Sequence, residues 1–178
     1  MDKKELAKQI KMSSFLTGQF KLRSGKISSF YWDKYRFESD PELLSEIIEH
    51  MAKILPKSFD KLAGMELGGI PLATLLSLRI GKPCLFVRKV AKDYGTCNLV
   101  EGGFKPGETV AVIEDVITTA GQVIMSIEQM RNLGLIVNDV ICVIDREQGG
   151  REKLTGIKCL LSSVFTMSEL DRLSLNRD

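Results

Sequence analysis

The sequence predicts an α/β protein with a largely parallel sheet, and three observations support this fold class. Short apolar runs rich in β-branched residues begin near positions 61, 84, 109, 139 and 158, as buried strands do. Helical patterns separate several of these runs, as in βαβ units. Because ligand loops of parallel sheets follow the strands, we expect five mostly parallel strands with one shared site. The loops that follow the strands are residues 68–71, 88–98, 114–122 and 145–150.

Length and composition indicate an ordinary globular protein. The chain has 178 residues, of which 44% are apolar and 27% charged, with a net charge of +2. We expect one domain over residues 1–178. The small net charge argues against a nucleic-acid or membrane surface. No apolar run approaches the roughly 18 residues that cross a bilayer, and the charged N-terminus leads into no signal-peptide pattern, so we expect a cytoplasmic location.

The cysteines and the single histidine indicate no metal site. Cys84, Cys97, Cys142 and Cys159 are far apart and form no CxxC pair, so buried, reduced thiols are expected. His50 lies in a helical pattern without an evident catalytic partner, and we expect it to be structural or exposed.

Helix signals stand at both ends of the chain. A short amphipathic helix is expected over residues 3–12. A second helix is expected to begin at Asp40, a capping residue followed by proline, and to end before Pro56. Thr166 and Glu169 have the spacing of a capping box, which predicts a last short helix.

The segment between the first two helices predicts a pair of strands. Alternating residues surround a central Ser24 and Gly25, as in a hairpin, and Arg23, Tyr31 and Trp32 lie close by. One interpretation is a surface hairpin with one aromatic face in the core. The other is a flap that stacks on a planar ligand while a cation faces its charge.

Two further loops have both a structural and a functional interpretation. Gly68 and Gly69 join a strand over residues 61–67 to a helix from Leu72 to Arg79. They either make a tight turn or let a ligand approach the backbone closely.

A later loop carries three cations, Arg88, Lys89 and Lys92. Such a run is usually a solvated loop, but it is also what closes over a polyphosphate.

The central stretch is the most informative. A β-branched strand over residues 109–113 is followed by Glu114 and Asp115, where we expect the strand to end, and by a small, hydroxyl-rich turn over 118–121. Turn N–H groups and a helix dipole favour a phosphate, and carboxylates accept sugar hydroxyls. The alternative is an ordinary strand-to-helix turn with a capping threonine. The helix is predicted by the spacing of Val123, Ile127, Met130 and Leu133.

These motifs together resemble a known family. The central stretch is similar to the phosphoribosyl diphosphate (PRPP) motif of type I phosphoribosyltransferases, and nearly the whole chain resembles the compact, archaeal-type orotate phosphoribosyltransferases. The matching strings are Phe20-x-Leu-Arg-Ser-Gly-Lys-x-Ser, Glu66-Leu-Gly-Gly-Ile-Pro-Leu-Ala-Thr74, Val87-Arg-Lys-x-Ala-Lys-Asp-Tyr-Gly-Thr96, the central stretch, and Asp145-Arg-Glu147.

The resemblance implies a type I phosphoribosyltransferase fold, with a small N-terminal hood mainly from residues 1–35. It also implies transfer of ribose 5-phosphate from PRPP to orotate with Mg²⁺, held through PRPP and water, in a homodimer whose 88–98 loop is shared across subunits. Arg88, Lys92 and Asp115 would be catalytic. The implied PRPP-binding residues are Arg88, Lys89, Lys92, Tyr94, Glu114, Asp115, Val116, Ile117, Thr118, Thr119, Ala120, Gly121 and Gln122. The implied orotate-binding residues are Arg23, Tyr31, Trp32, Thr118 and Arg146.

The chain departs from many relatives at a few of these positions. Tyr94 stands where many bacterial members have histidine, Gly68 and Arg23 where many have lysine, and Ala120 where glycine is usual. Two alternatives to orotate transfer follow: transfer to another nucleobase, and a PRPP-sensing regulator without turnover. Residues 1–19 are too short for a winged helix, and the chain has no basic stripe, which argues against such a regulator.

Overall fold

A six-stranded sheet forms the centre of the protein, in the order β5-β4-β3-β6-β7-β8, and a separate hairpin pairs β1 with β2. The computed structural model describes residues 1–21, 25–90 and 99–175. The strands are β1 (Phe15–Lys21), β2 (Ile27–Trp32), β3 (Lys61–Met65), β4 (Cys84–Val87), β5 (Val100–Glu101), β6 (Thr109–Ile117), β7 (Ile136–Asp145) and β8 (Leu160–Thr166). The helices are α1 (Lys3–Ser14), α2 (Tyr35–Glu38), α3 (Pro41–Ala52), α4 (Gly69–Ile80), α5 (Gly121–Asn132), α6 (Gly150–Gly156) and α7 (Met167–Ser174).

The predicted α/β fold class is confirmed. The five predicted strands are β3, β4, β6, β7 and β8, and they pair in parallel. The sheet has one strand more than predicted, because β5 pairs antiparallel with β4 at Phe86↔Glu101 and Val87↔Val100. A two-residue strand has no periodicity that a sequence could reveal.

Helices cover both faces of the sheet, and residues 110–113 of β6 alternate between the two faces. On β6, Ala111 and Ile113 pack into the cluster that contains α1, α3 and α4. Val110 and Val112 pack into the other cluster, with α5 and α6. The continuous apolar run of this strand therefore reflects burial on both faces.

Helix ends follow the local signals closely. Asp40 Oδ1 accepts hydrogen bonds from the backbone N–H groups of Glu42 and Leu43, at 3.1 and 3.0 Å, which confirms the predicted start of α3. Thr166 Oγ1 accepts from Glu169 N at 3.2 Å, but the Glu169 carboxylate binds Lys3 Nζ at 2.8 Å. Only the hydroxyl half of the predicted capping box is therefore present.

The predicted N-terminal hairpin is also present. Tyr31 stacks on Phe20 with ring centroids 5.5 Å apart, and Trp32 packs edge-on against Phe15 at 6.3 Å. Trp32 also packs against the main core cluster. Arg23 lies outside the described residues.

The three cysteines that the structure describes have free thiols, as predicted. Cys142 and Cys159 are buried and Cys84 is partly buried, and all three are free. Cys97 lies outside the described residues. Across the described ranges, no helix combines the length and apolar character that a membrane crossing requires.

The predicted end of β6 before the acidic pair is wrong. The strand continues to Ile117, because β7 keeps pairing with it at Val116↔Ile144 and Ile117↔Asp145. On the other side, β3 pairs only as far as Ile113. The acidic pair therefore lies within the strand but beyond β3.

Close packing against β6 explains why two glycines follow β3. A Cβ atom at Gly69 would lie 2.2 Å from the carbonyl oxygen of Ile113, and one at Gly68 would lie 1.7 Å from Asp115 Oδ2. The turn passes so close to β6 that neither position has room for a side chain.

The Gly69→Ala substitution should therefore destabilise the protein, because its methyl group would collide with backbone that cannot rotate away. Forced overpacking typically costs about 1–3 kcal/mol, and chemical denaturation would measure the loss. Gly103→Ala is the control, since nothing lies within 4 Å of the added Cβ there. Equal stability of the two variants would contradict this account of the turn.

Candidate active site

A cleft of about 510 Å³ opens where β3 and β6 end. It joins four segments that are far apart in sequence: the start of α2, the turn after β3, the end of β4, and the stretch from β6 into α5. Its lining residues are Lys34, Tyr35, Glu66, Leu67, Lys89, Glu114, Val116, Ile117, Thr118, Thr119, Ala120, Gly121, Gln122 and Val123.

The turn from β6 into α5 has the form expected of an anion site. Ala120 adopts the left-handed conformation, with φ of 56°, and the 12-residue helix α5 begins at Gly121. Alanine cannot cap a helix with its side chain, so the predicted alternative of a capping threonine is not what the structure has. First-turn N–H groups and the positive end of the helix dipole are thus presented toward the cleft.

The acidic pair is divided between the cleft and the interior. Glu114 lines the cleft, whereas the Asp115 side chain is 0% exposed. Asp115 Oδ1 accepts a hydrogen bond from Val116 N at 2.5 Å, and Glu114 Oε1 accepts one from Asp115 N at 3.0 Å. The two carboxyl groups therefore start from different environments.

Lys34 and Glu38 surround the buried carboxylate of Asp115. Lys34 Nζ lies 2.5 Å from Asp115 Oδ2. Glu38 Oε1 and Asp115 Oδ2 both lie within 2.8 Å of the point that a Cβ at Gly68 would occupy. Sequence reasoning missed both residues, although their i, i+4 spacing puts them on one side of a helical turn.

Burial and these contacts shift the pKa values of the three carboxyl groups in different directions. Burial, followed by the hydrogen bond to Asp115, raises the pKa of Glu38 to about 8 and raises the pKa of Glu114 well above its usual range. Burial also acts to raise the pKa of Asp115, but the hydrogen bond from Glu114 and the charge of Lys34 outweigh it, so that pKa is lowered. The cluster therefore combines one carboxyl group of lowered pKa, on Asp115, with two of raised pKa, on Glu38 and Glu114.

The predicted cationic loop is described only at its start. Lys89 lines the cleft, and its backbone N–H donates to Glu66 Oε2 at 2.9 Å. Arg88 Nε donates to Glu101 Oε1 at 3.1 Å. Lys92 and Tyr94 lie outside the described residues.

The predicted base-binding residues are less closely grouped. Thr118 lines the cleft, and the backbone N–H of Arg146 donates to Ile117 O at 2.8 Å, which joins the two loops. Arg146 Nε is buried without a hydrogen-bond partner. Tyr31 and Trp32 are not among the described residues that line this cleft, whereas Tyr35 is.

The comparisons with known proteins agree with this architecture. Residues 36–169 match the model of the phosphoribosyl transferase domain. The chain is 46% identical to an orotate phosphoribosyltransferase from Nocardioides, over 93% of each chain. A crystal structure of orotate phosphoribosyltransferase from Aeropyrum pernix is 33% identical with a TM-score of 0.83, covering 94% of this chain and 96% of the other.

A second solved structure carries a bound substrate. It is the Mycobacterium tuberculosis orotate phosphoribosyltransferase in complex with PRPP, which is 26% identical with a TM-score of 0.80 and covers 96% of this chain and 99% of the other. Fold and cleft thus define a phosphoribosyltransferase of the α/β class. Within that class, the chain belongs to the orotate phosphoribosyltransferase family.

The raised pKa of Glu38 predicts a pH-dependent stability that Glu38→Gln should remove. The folded protein keeps the proton up to about pH 8, while the unfolded chain releases it near 4.5. Wild type should therefore lose stability as pH rises from about 4.5 to about 8, relative to the glutamine variant. Unfolding free energies of both proteins across this range would measure the difference. A difference that stays constant with pH would contradict the buried, neutral state of Glu38.

Proposed function

We propose that this protein transfers ribose 5-phosphate from PRPP to orotate, giving orotidine 5′-monophosphate and pyrophosphate in pyrimidine biosynthesis. One observation carries the proposal. A helix N-terminus, an acidic residue and a lysine, taken from separate parts of the chain, line the same cleft. That combination suits a sugar with a phosphate at one end and a diphosphate at the other.

The 5-phosphate would bind at the turn over residues 118–122, because N–H groups and a helix dipole meet there. The ribose hydroxyls would be held by the acidic pair. Glu114 is the member that lines the cleft, and Asp115 would join it once Lys34 turns toward the substrate. The charge on Asp115 would favour the positive character that develops on the ribose ring as its anomeric bond breaks.

The departing diphosphate would be met by cations. Lys89 lines the cleft, and Arg88, Lys92 and Tyr94 complete the set proposed from the sequence. Preorganised charges of this kind act on the transition state, and removing one typically costs about 10²–10³ in rate. Closure of the loop over residues 88–98 would also exclude water from the reacting centre.

Mg²⁺ fits this scheme as a companion of the substrate. The described residues contain no group of three or more histidine, cysteine or acidic side chains arranged to hold a metal ion. Mg²⁺ commonly binds through substrate phosphates and water, so the diphosphate of PRPP would carry it. When bound, the ion would neutralise charge on the leaving group.

Orotate is a planar carboxylate, and the residues proposed for it combine a fork-shaped cation with aromatic surfaces. Arg146 has a buried Nε without a partner, which supports a role in binding a polar ligand. Thr118 would hydrogen-bond the base, and Arg23, Tyr31 and Trp32 of the hood would flank it. The single domain with a hood over residues 1–35, the homodimer and the cytoplasmic location stay predictions.

The decisive experiment is to incubate the protein with PRPP, Mg²⁺ and one base at a time, and to follow the loss of base absorbance. Orotate should be consumed, with pyrophosphate as the second product. Uracil, xanthine and hypoxanthine serve as comparison bases. Turnover of one of these in place of orotate would overturn the assignment, and binding of PRPP without turnover would favour a sensor.

The Arg146→Ala substitution should raise the KM for orotate selectively, because the guanidinium would no longer pair with the carboxylate of the base. Loss of a charge-assisted contact is expected to cost about tenfold or more. Steady-state kinetics with each substrate varied in turn would measure it. Arg79→Ala is the control, since Arg79 is 54% exposed and pairs with Glu49 on the surface. An unchanged orotate KM would point to a different base.

Mixing two inactive variants tests the shared loop of the dimer. Lys92→Ala disables the loop and Asp115→Asn disables the pocket, so a mixed dimer should contain one intact combination. Partial recovery of activity on mixing is the expected result, whereas no recovery at any ratio would argue that the loop acts within its own subunit.

A further inference from the structure

Lys34 is a cation at the cleft for which the sequence analysis gave no role. Its Nζ lies 2.5 Å from Asp115 Oδ2, and its side chain is 33% exposed while that of Asp115 is 0% exposed. The same Nζ lies 5.2 Å from the ring centroid of Tyr35, another lining residue. One side of the ammonium is thus anchored to a buried charge, and the other side is open to the cleft.

The space for this ammonium depends on Gly68. A Cβ at that position would lie 1.7 Å from Asp115 Oδ2, which is the oxygen that Lys34 contacts. The turn after β3 therefore brings no side chain of its own to this oxygen. The cation beside the turn comes instead from residue 34, at the start of α2.

An ammonium group has three N–H donors, and the contact with Asp115 uses one direction. The remaining donors can meet an anion in the cleft, where Lys89 supplies a second ammonium from the end of β4. In the proposed reaction, the turn before α5 binds the 5-phosphate, and Arg146 binds the carboxylate of the base. The diphosphate is the remaining anionic group and has the highest charge.

We propose that Lys34 is a further substrate-binding residue whose ammonium, anchored by Asp115, contacts the diphosphate end of PRPP. This inference rests on the proposed phosphoribosyl transfer. On binding, the ammonium would exchange part of its contact with Asp115 for the diphosphate, which would free that carboxylate for the ribose hydroxyls.

Binding measurements on Lys34→Gln test this without requiring turnover. The affinity for Mg²⁺-pyrophosphate, measured by calorimetry, should fall about tenfold, as expected for loss of one hydrogen bond to a charged group. The affinity for ribose 5-phosphate should stay within about twofold, because that ligand lacks the diphosphate. Lys34→Arg, which keeps the charge, should recover most of the pyrophosphate affinity.

The matched control is Lys11→Gln. Lys11 pairs with Asp171 at 2.7 Å, and its side chain is 27% exposed while that of Asp171 is 50% exposed, so the variant removes a lysine of similar exposure from an ion pair away from the cleft. It should leave both affinities unchanged. Two results would overturn the proposal: unchanged pyrophosphate affinity in Lys34→Gln, or equal weakening of the affinities for pyrophosphate and ribose 5-phosphate. Failure of the wild type to turn over orotate would count against the proposed function only, since pyrophosphate binding is read separately.

Removal of Lys34 leaves a buried carboxylate without its partner, which destabilises a protein, so a second test uses the wild type. Reductive methylation of lysines, read by mass spectrometry, should be slowed at Lys34 by Mg²⁺-pyrophosphate and not by ribose 5-phosphate. The rate at Lys11 should not change with either ligand. Equal methylation of Lys34 with and without pyrophosphate would refute the contact even if the variant fails to fold.

Discussion

Asp115 carries a carboxylate with no exposed surface, at a point where β6 has already passed the end of β3. A buried charge of this kind persists only with a close counter-charge and hydrogen bonds. Lys34 supplies the charge, and the backbone N–H of Val116 supplies a hydrogen bond. Gly68 leaves the room for both, because any side chain there would occupy the position of the carboxylate. One ion pair thus joins the start of α2 to the end of β6, in the space that the turn after β3 leaves open.

The same cluster sets the pKa values of its acidic groups in opposite directions. Hydrogen bonding from Glu114 and the charge of Lys34 lower the pKa of Asp115, while burial raises the pKa of Glu38 and of Glu114. Glu114 lines the cleft, so the carboxyl group with the raised pKa is the one that borders the proposed ligand site.

Prediction from the sequence was accurate where a local signal determines the structure. The strand at Cys84–Val87, the capped start of α3 and the turn before α5 are as predicted, since short-range hydrogen bonds and apolar patterns specify them. The prediction failed at the end of β6, because the apolar pattern stops at Glu114 while pairing with β7 continues to Ile117. Strand pairing is a contact between distant segments, and no local pattern reports how far it extends.

The sequence by itself determined the α/β class, the acidic pair with the small-residue turn that follows it, and the family. Each depends on residue types at fixed short spacings, which a single chain displays directly. Only the tertiary structure decided that Glu114 faces the cleft while Asp115 is buried, that Lys34 and Glu38 surround Asp115, and that the double glycine makes room for β6. These facts depend on which segments meet across the fold, because burial and charge pairing are properties of packed surfaces and not of neighbouring positions in a sequence.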